Sequence, residues 1–302
     1  MKNTVSIIYK RELKQLFCSL AGWLFIALNV AALGICTVWL CFRNANPAYQ
    51  YVPETASLIL CFTAPLTVAM TVGAEWKRGE TAMLLRHASP ASVTVGKYLA
   101  MLTAFAVPAV ICGVLPLLLI PFGVSWLVTS YMSVITYALV GAAILALCFF
   151  ISTLIGHPVI GAVVSVAVSL LLNVVSNVAK IIGDGQSFPF ILTAVVLIAI
   201  VTVIMLIYLN NTVIPAVFAV LTSAATLVLA LTGVAPAVFR PMLALLSPQY
   251  AFYENIYGTA SLRGMLQPVL FTAVFLGFTV LNHANRNKNM NLDLRRGGKE
   301  NE

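Results

Sequence analysis

Ala74-Glu75-Trp76-Lys77-Arg78-Gly79-Glu80 is a short charged stretch that separates two long apolar segments. Charged side chains this close to such segments are costly unless they lie at a face of a membrane and meet a partner there. The stretch therefore indicates a membrane-spanning chain that carries a polar element at one membrane face. The task of that element is the main functional question that the sequence raises.

The composition of the chain indicates the same fold class. Hydrophobic residues make up 61% and charged residues only 9% of the 302 residues, and the mean hydropathy is +1.00. Soluble domains carry about 25% charged residues, so an ordinary water-soluble protein is excluded. The net charge of +8 does not indicate nucleic-acid binding, because Lys and Arg lie at the ends of apolar segments and not in one patch. The sequence predicts an all-α polytopic membrane protein.

Eight apolar segments have about the length of 20 residues that a helix needs to cross a bilayer. They are residues 21–42, 55–72, 98–120, 129–155, 159–178, 188–209, 212–231 and 266–281. Together they define a transmembrane domain over residues 21–283. The uncharged Asn210-Asn211 joins the sixth and seventh segments, so residues 188–231 either form a hairpin that crosses twice or only dip into the outer leaflet.

Both ends of the chain are expected at a membrane face. In residues 1–20, apolar side chains recur at helical spacing while Lys10, Arg11 and Lys14 occupy other positions. This pattern predicts an amphipathic helix in the interface, and the alternative is a plain extension of the first span. Residues 284–302 are predicted to form a cytoplasmic tail.

The distribution of Lys and Arg predicts the orientation of the spans. With the N-terminus inside and an even number of spans, thirteen Lys and Arg residues lie on the cytoplasmic side. The four outside are Arg43, Lys180, Arg240 and Arg263. The positive-inside rule favours this orientation, which places both termini in the cytoplasm. It holds whether residues 188–231 cross twice or not at all.

An aromatic segment is expected on the outer face, before the last span. Aromatic side chains with a polar edge settle at the headgroup level, and the pattern predicts a short amphipathic helix that ends at Gly258. The outer-face residues predicted on this basis are Tyr250, Phe252, Tyr253, Glu254 and Tyr257.

Signatures of catalysis are missing from the sequence. It contains no H-E-x-x-H, no G-x-S-x-G and no P-loop, since Gly96-Lys97 lacks the glycine-rich approach. The six cysteines form no C-x-x-C pair, which favours neither a disulfide framework nor a zinc site. Ion coupling normally requires acidic or polar residues near the bilayer midplane, whereas Glu54 and Glu75 are interpreted as helix-end residues. Neither a cofactor nor a metal is predicted for this chain.

Several stretches, in order along the chain, resemble the permease subunits of ABC-2-type exporters. They are Tyr9-Lys10-Arg11-Glu12-Leu13, Ala74 to Leu85 with Ser89-Pro90 and Gly96-Lys97-Tyr98-Leu99-Ala100, Phe150-Ile151-Ser152-Thr153-Leu154, and Leu246 to Asn255 with Gly258 and Leu262-Arg263. They are similar to the opening helix, the connection of spans two and three, the end of span four and the outer segment of that family. The most similar branch is that of the gliding-motility-associated, or copper-processing-like, permeases. The family core has six spans, so residues 188–231 would be an extra hairpin.

The resemblance implies a transport subunit that has no ATPase site of its own. A separate nucleotide-binding subunit would bind ATP and Mg²⁺, and residues 79–87 would be the coupling helix that docks on it. The residues assigned to this contact are Glu75, Arg78, Gly79, Glu80, Met83, Leu84, Leu85 and Arg86. Ser89 and Pro90 would cap the next helix and keep this handle stiff.

The resemblance also implies the setting of the protein. The partners would be a second permease copy or paralogue, membrane lipids and an extracytoplasmic accessory subunit, and the location would be the inner or plasma membrane of a prokaryote. A hydrophobic or amphipathic substrate would be exported. The alternatives from other classes are a non-transporting scaffold or sensor for cytoplasmic partners, an ion-coupled secondary transporter, and an intramembrane enzyme.

Overall fold

A computed structural model describes residues 2–43, 48–122, 127–181, 198, 219–224, 244–255 and 261–300. These residues are helical apart from short turns, and they include no β-strand. The all-α class predicted from the sequence is therefore confirmed for the described part of the chain.

The described residues contain the following main helices. We number them α1 (Lys2–Cys18), α2 (Leu20–Thr37), α3 (Tyr51–Val68), α4 (Ala74–Arg78), α5 (Glu80–His87), α6 (Pro90–Leu119), α7 (Leu127–Ile155), α8 (Pro158–Ile181), α9 (Tyr250–Asn255) and α10 (Leu262–Glu300). Wider π-type turns extend α2 over Val38–Phe42 and join α3 to α4 over Ala69–Gly73.

Six helices in the described ranges are long and apolar enough to cross a membrane. They are Leu20–Phe42, Tyr51–Arg78, Pro90–Leu119, Leu127–Ile155, Pro158–Asn177 and Leu262–Lys288. They coincide with six of the eight predicted segments, and several extend beyond the predicted ends. The other two segments, 188–209 and 212–231, lie outside the described residues except for Ile198 and residues 219–224. The chain is thus a multi-pass helical protein of the membrane-spanning type.

The described chain divides into two compact units, and the larger one contains Met1–Leu170 and Ala251–Glu302. The smaller unit, Leu171–Tyr250, includes a hydrogen bond of 2.7 Å from the Ser247 hydroxyl to the Leu172 carbonyl oxygen. All residues of the sites described below belong to the larger unit, except for Tyr250.

The centre of the larger unit is formed by α3 and α7. In the most apolar part of each of these two spans, 67% of the residues are buried, against 22% in α10. Close packing against α7 depends on Gly141, because a Cβ there would overlap the Phe105 ring of α6. The more peripheral spans α2, α6 and α10 surround this pair and leave large apolar side chains exposed for lipid.

The polar connections between several helices lie at one end of the larger unit. The Arg286 guanidinium of α10 donates a hydrogen bond of 2.6 Å to the Leu154 carbonyl oxygen at the end of α7. A Cβ at Gly73, at the end of the π turn, would lie 3.1 Å from the Pro158 Cα, where α8 begins. The junctions α4–α5–α6 and α7–α8 and the second half of α10 therefore share one end of the molecule.

Candidate functional site

The element between the second and third spans consists of α4 and α5, which are separated by Gly79. We call these two helices the handle. The helix that begins at Tyr51 runs through the π turn to Arg78, and π turns of this kind are frequent at functional sites. Gly79 then takes a left-handed conformation with φ of +78°, where a side chain is disfavoured, and α5 follows directly. Ser89 caps α6 by accepting a hydrogen bond from the Ser92 amide, and Pro90 begins that helix, which confirms the predicted cap.

The inner face of α5 is packed into the larger unit. Thr81 is fully buried and Leu85 is 1% exposed. Leu85 forms a small apolar cluster with Ile8 of α1 and Val93 of α6, and Trp76 lies against this cluster. These contacts pack α5 against both α1 and α6, so its position is fixed relative to these helices.

Three ionisable side chains from three different helices meet beside this cluster. The Lys97 ammonium of α6 donates hydrogen bonds to the carboxylates of Glu75 in α4 and Glu12 in α1, with Nζ 3.1 Å from Glu12 Oε1. Lys97 and Glu75 are each 1% exposed and Glu12 is 7% exposed. We call this group the charged triad. Glu75, interpreted above as a helix-end residue, is a buried ion-pair partner.

The charged triad contains two carboxylates and one ammonium group. Burial raises the pKa of Glu12, while the charge of Lys97 acts in the opposite direction. Glu75 Oε1 is buried and has no hydrogen-bond partner among the described residues. A proton on Glu12 makes the group neutral, which reduces the cost of burying it. Among the described residues, no group of three or more His, Cys, Asp and Glu side chains could hold a metal ion.

A second set of contacts ties α4 to α10. The Arg286 guanidinium lies 4.6 Å from the centroid of the Trp76 ring, within the range of a cation–π interaction. The His283 ring lies 5.6 Å from the Trp76 ring, and its Nδ1 is 2.8 Å from the Thr94 hydroxyl of α6. A movement of α4 must therefore displace α1, α6 and α10 as well.

The outer face of α5 is exposed and mostly basic. Met83 is 70% exposed, and Arg86 and His87 are also exposed. On the flank towards α1, Glu80 lies 3.6 Å from an Arg11 nitrogen and 3.5 Å from an Arg78 nitrogen. The ion pairs of Glu80 thus position α5 against α1, while the outer face of α5 remains available for another molecule.

The structure brings the predicted coupling residues together in α4, at Gly79 and in α5, but they point in different directions. Met83 and Arg86 face outward, whereas Leu84 is half-buried and Glu80 and Arg78 pair with each other and with Arg11. Glu75 and Leu85 face inward, as described above. Met83 and Arg86, and not Leu85, carry the outward contact in the proposal below.

The predicted outer-face segment lies at the opposite end of the larger unit and is packed inward. Phe252 is 2% exposed and belongs to the main apolar core. Glu254 lies 3.6 Å from Arg263 at the start of α10, and Tyr253 is half-buried. Tyr250 is buried, and Tyr257 and the predicted helix end at Gly258 lie outside the described residues. This short helix is therefore connected to the start of α10 through Glu254, while Phe252 packs into the core.

Glu12 and Lys97 are site residues that the sequence analysis did not identify. A signal for Glu12 exists, since it falls on one helical stripe with Ile8 and Leu16, four residues to each side. A carboxylate on a buried stripe requires a partner. Lys97, counted above only for the orientation of the spans, carries no comparable local signal because its partners are 22 and 85 residues away.

No protein-family model and no curated protein sequence matches this chain. The membrane-spanning helical fold therefore stands on the sequence and the structure alone, and the relation to exporter permeases stays a prediction.

Proposed function

We propose that this chain is the transmembrane permease subunit of an ATP-driven exporter of the ABC-2 type, with α5 as its coupling helix. The ATPase is a separate subunit that docks on the outer face of α5, where Met83 provides an apolar contact and Arg86 a charge. A second permease copy or paralogue completes the pathway. The substrate is hydrophobic or amphipathic and moves across the cell membrane of a prokaryote.

The observation that carries this proposal is the attachment of α4 and α5 to the spans. A handle transmits force only if its connection does not yield, and here the charged triad and the Leu85 cluster fix it to α1 and α6. The Trp76–Arg286 contact adds α10. Movement of the ATPase subunit would thus reach α1, α6 and α10 together, as rigid-body alternating access requires.

The distribution of charge supports the sidedness that this function requires. The α4–α5 handle, α1 and the charged half of α10 share one end of the larger unit, where most Lys and Arg residues of the described spans are located. The positive-inside rule places this end in the cytoplasm, together with both termini. The crossing of residues 188–231 as an extra hairpin belongs to the same proposal, since it keeps the number of spans even.

Co-purification and ATP hydrolysis test the proposal. The tagged full-length protein is purified from its native membranes in a mild detergent, and associated proteins are identified by mass spectrometry. We expect an associated P-loop ATPase whose vanadate-sensitive hydrolysis requires the outer face of α5. Met83→Asp and Arg86→Glu should release this ATPase, because they place a charge in the apolar contact and reverse the neighbouring one.

Lys14→Gln is the matched control, since Lys14 is an exposed basic residue of α1 and not of α5. It should retain the ATPase, and all three variants should keep the thermal unfolding midpoint of the unmodified protein. Retention of the ATPase by Met83→Asp and Arg86→Glu would remove α5 from the contact. Purification without any ATPase would favour the scaffold or carrier alternatives.

A further inference from the structure

A polar groove of about 720 Å³ lies between α1 and the α4–α5 handle. Its lining includes Arg11, Gln15, Arg78, Glu80, Met83 and His87. It is separate from the charged triad, which is buried behind α5. The packing of the spans does not explain why two guanidinium groups face this groove.

The charges in the groove are unbalanced. Arg11 and Arg78 flank one carboxylate, Glu80, and their nitrogens lie 3.6 and 3.5 Å from its two oxygens. These distances exceed the roughly 2.7–2.9 Å of a strong charge-assisted hydrogen bond. Arg11 also lies 3.8 Å from Glu12, but that carboxylate is bound to Lys97. Each guanidinium has five N–H donors, so the groove retains donors and positive charge for a further anion.

The position of the groove relative to the membrane indicates the source of that anion. The apolar helix that begins at Tyr51 ends at Arg78, and the next apolar helix begins at Pro90. Arg78 therefore lies where the hydrocarbon layer gives way to headgroups. On α1, Ile7 is 67% exposed beside the charged residues, a pattern typical of a helix in the interface. Phospholipid phosphates are the abundant anions at this level.

The residue types suit a phosphate better than a carboxylate. Arginine presents a planar fork that binds phosphate oxygens through two parallel hydrogen bonds. Basic pockets at the cytoplasmic ends of transmembrane helices bind anionic headgroups in this way.

We propose that the groove between α1 and α5 binds the phosphate of an anionic phospholipid, held between Arg11 and Arg78. Glu80 occupies the position between the two guanidinium groups when no lipid is bound. The bound headgroup links α1 to α5. This site does not depend on the transport activity of the protein.

Thermal unfolding of the purified full-length protein in an uncharged detergent tests the lipid site. Dioleoylphosphatidylglycerol should raise the unfolding midpoint clearly more than dioleoylphosphatidylcholine, because a ligand that binds only the folded state stabilises it. Arg11→Gln and Arg78→Gln should each weaken the apparent affinity about tenfold, since each removes charge-assisted hydrogen bonds to the phosphate. Glu80→Gln should tighten it by removing the competing carboxylate.

The controls separate a defined site from general charge attraction. Lys14→Gln removes an exposed positive charge one turn from Arg11 and outside the groove, and it should keep the affinity within about twofold. An equal loss in Lys14→Gln and Arg78→Gln would overturn the proposal, as would equal shifts by the two lipids. Inorganic phosphate at matched concentration forms a separate arm, and a shift as large as that of the lipid would assign the groove to a free anion and overturn the lipid site.

Native mass spectrometry of the same samples covers the case in which a variant is less stable. It counts retained phosphatidylglycerol directly and does not depend on the unfolding midpoint. Arg11 and Arg78 side chains are 43% and 61% exposed, so their replacement should leave the fold intact. Retention of the lipid by both variants would contradict the assignment.

Discussion

At the residue scale, the charged triad has the highest energetic cost of the contacts around α5. Two carboxylates and an ammonium group are removed from water together, and their mutual attraction repays this only when every member is present. Such a group adds little net stability in comparison with apolar residues of the same size. We expect it to contribute specificity, because its three side chains meet only when α1, α4 and α6 are in this register.

Lys97→Met should therefore destabilise the protein far more than its size predicts. The substitution leaves Glu12 and Glu75 buried without a counter-charge, and breaking a buried pair in this way costs about 3–5 kcal/mol. Thermal or denaturant unfolding in detergent measures the loss. The triple variant Glu12→Gln, Glu75→Gln, Lys97→Met removes all the charges and should recover most of it. Equal and additive losses would show that the three residues do not act as a unit.

The raised pKa of Glu12 predicts a dependence of stability on pH. The folded state holds the proton more tightly than the unfolded state, in which the pKa is about 4.3. The stabilisation from protonation is complete below that value and is lost as pH rises through the higher pKa of the folded state. The unfolding midpoint should fall over this window, and Glu12→Gln should flatten the decline. An unchanged slope in Glu12→Gln would assign the dependence to another group.

At the element scale, the helices that meet at the triad are longer than their apolar stretches. The sequence predicts a second span that ends at residue 72 and a third that begins at residue 98, because charged residues lie just beyond. The observed helices run to Arg78 and start at Pro90. Glu75 and Lys97 neutralise each other, so the helices continue through them. A local hydropathy scale cannot predict the longer helices, because it scores each charged residue without its ion-pair partner.

The packing of α1 on α6 depends on Gly96. A Cβ at this position would lie 2.9 Å from Ile8 Cγ2 and 3.3 Å from the Val5 carbonyl oxygen. Gly96→Ala should push α1 away from α6 and cost about 1–3 kcal/mol, as overpacking generally does. Hydrogen exchange of amides 5–12, together with the unfolding midpoint, measures the effect.

Gly113→Ala is the matched control for this experiment in the same helix. Its Cβ would meet only Val134 Cγ1 at 3.6 Å, an ordinary contact. It should be neutral or stabilising by up to about 1 kcal/mol, because alanine restricts the unfolded chain. If both alanines increased exchange in α1 alike, the close approach at Gly96 would not be the cause.

At the scale of the whole molecule, the sequence predicts the membrane-spanning helices and the cap at Ser89 but not the direction of individual side chains. Apolar residues of a membrane helix face either lipid or protein, and composition does not distinguish the two. Leu85 and Met83 are both apolar residues of α5, yet one is buried and the other exposed. The same limit explains why Phe252 is buried, although the sequence of its segment is typical of aromatic residues at the headgroup level. Contacts across long separations, such as Glu12 with Lys97, decide these directions.

The sidedness of the molecule is open to a direct test by thiol labelling in intact cells. Cys18 is exposed and the other five cysteines are buried or half-buried, so Cys18→Ser provides a suitable background. Met83→Cys should react with a membrane-impermeant maleimide only after permeabilisation, because α5 belongs to the end that carries most of the positive charge. Leu262→Cys, 82% exposed at the opposite end of α10, should react without permeabilisation. The reverse pattern would place α5 outside, where no ATPase could dock on it.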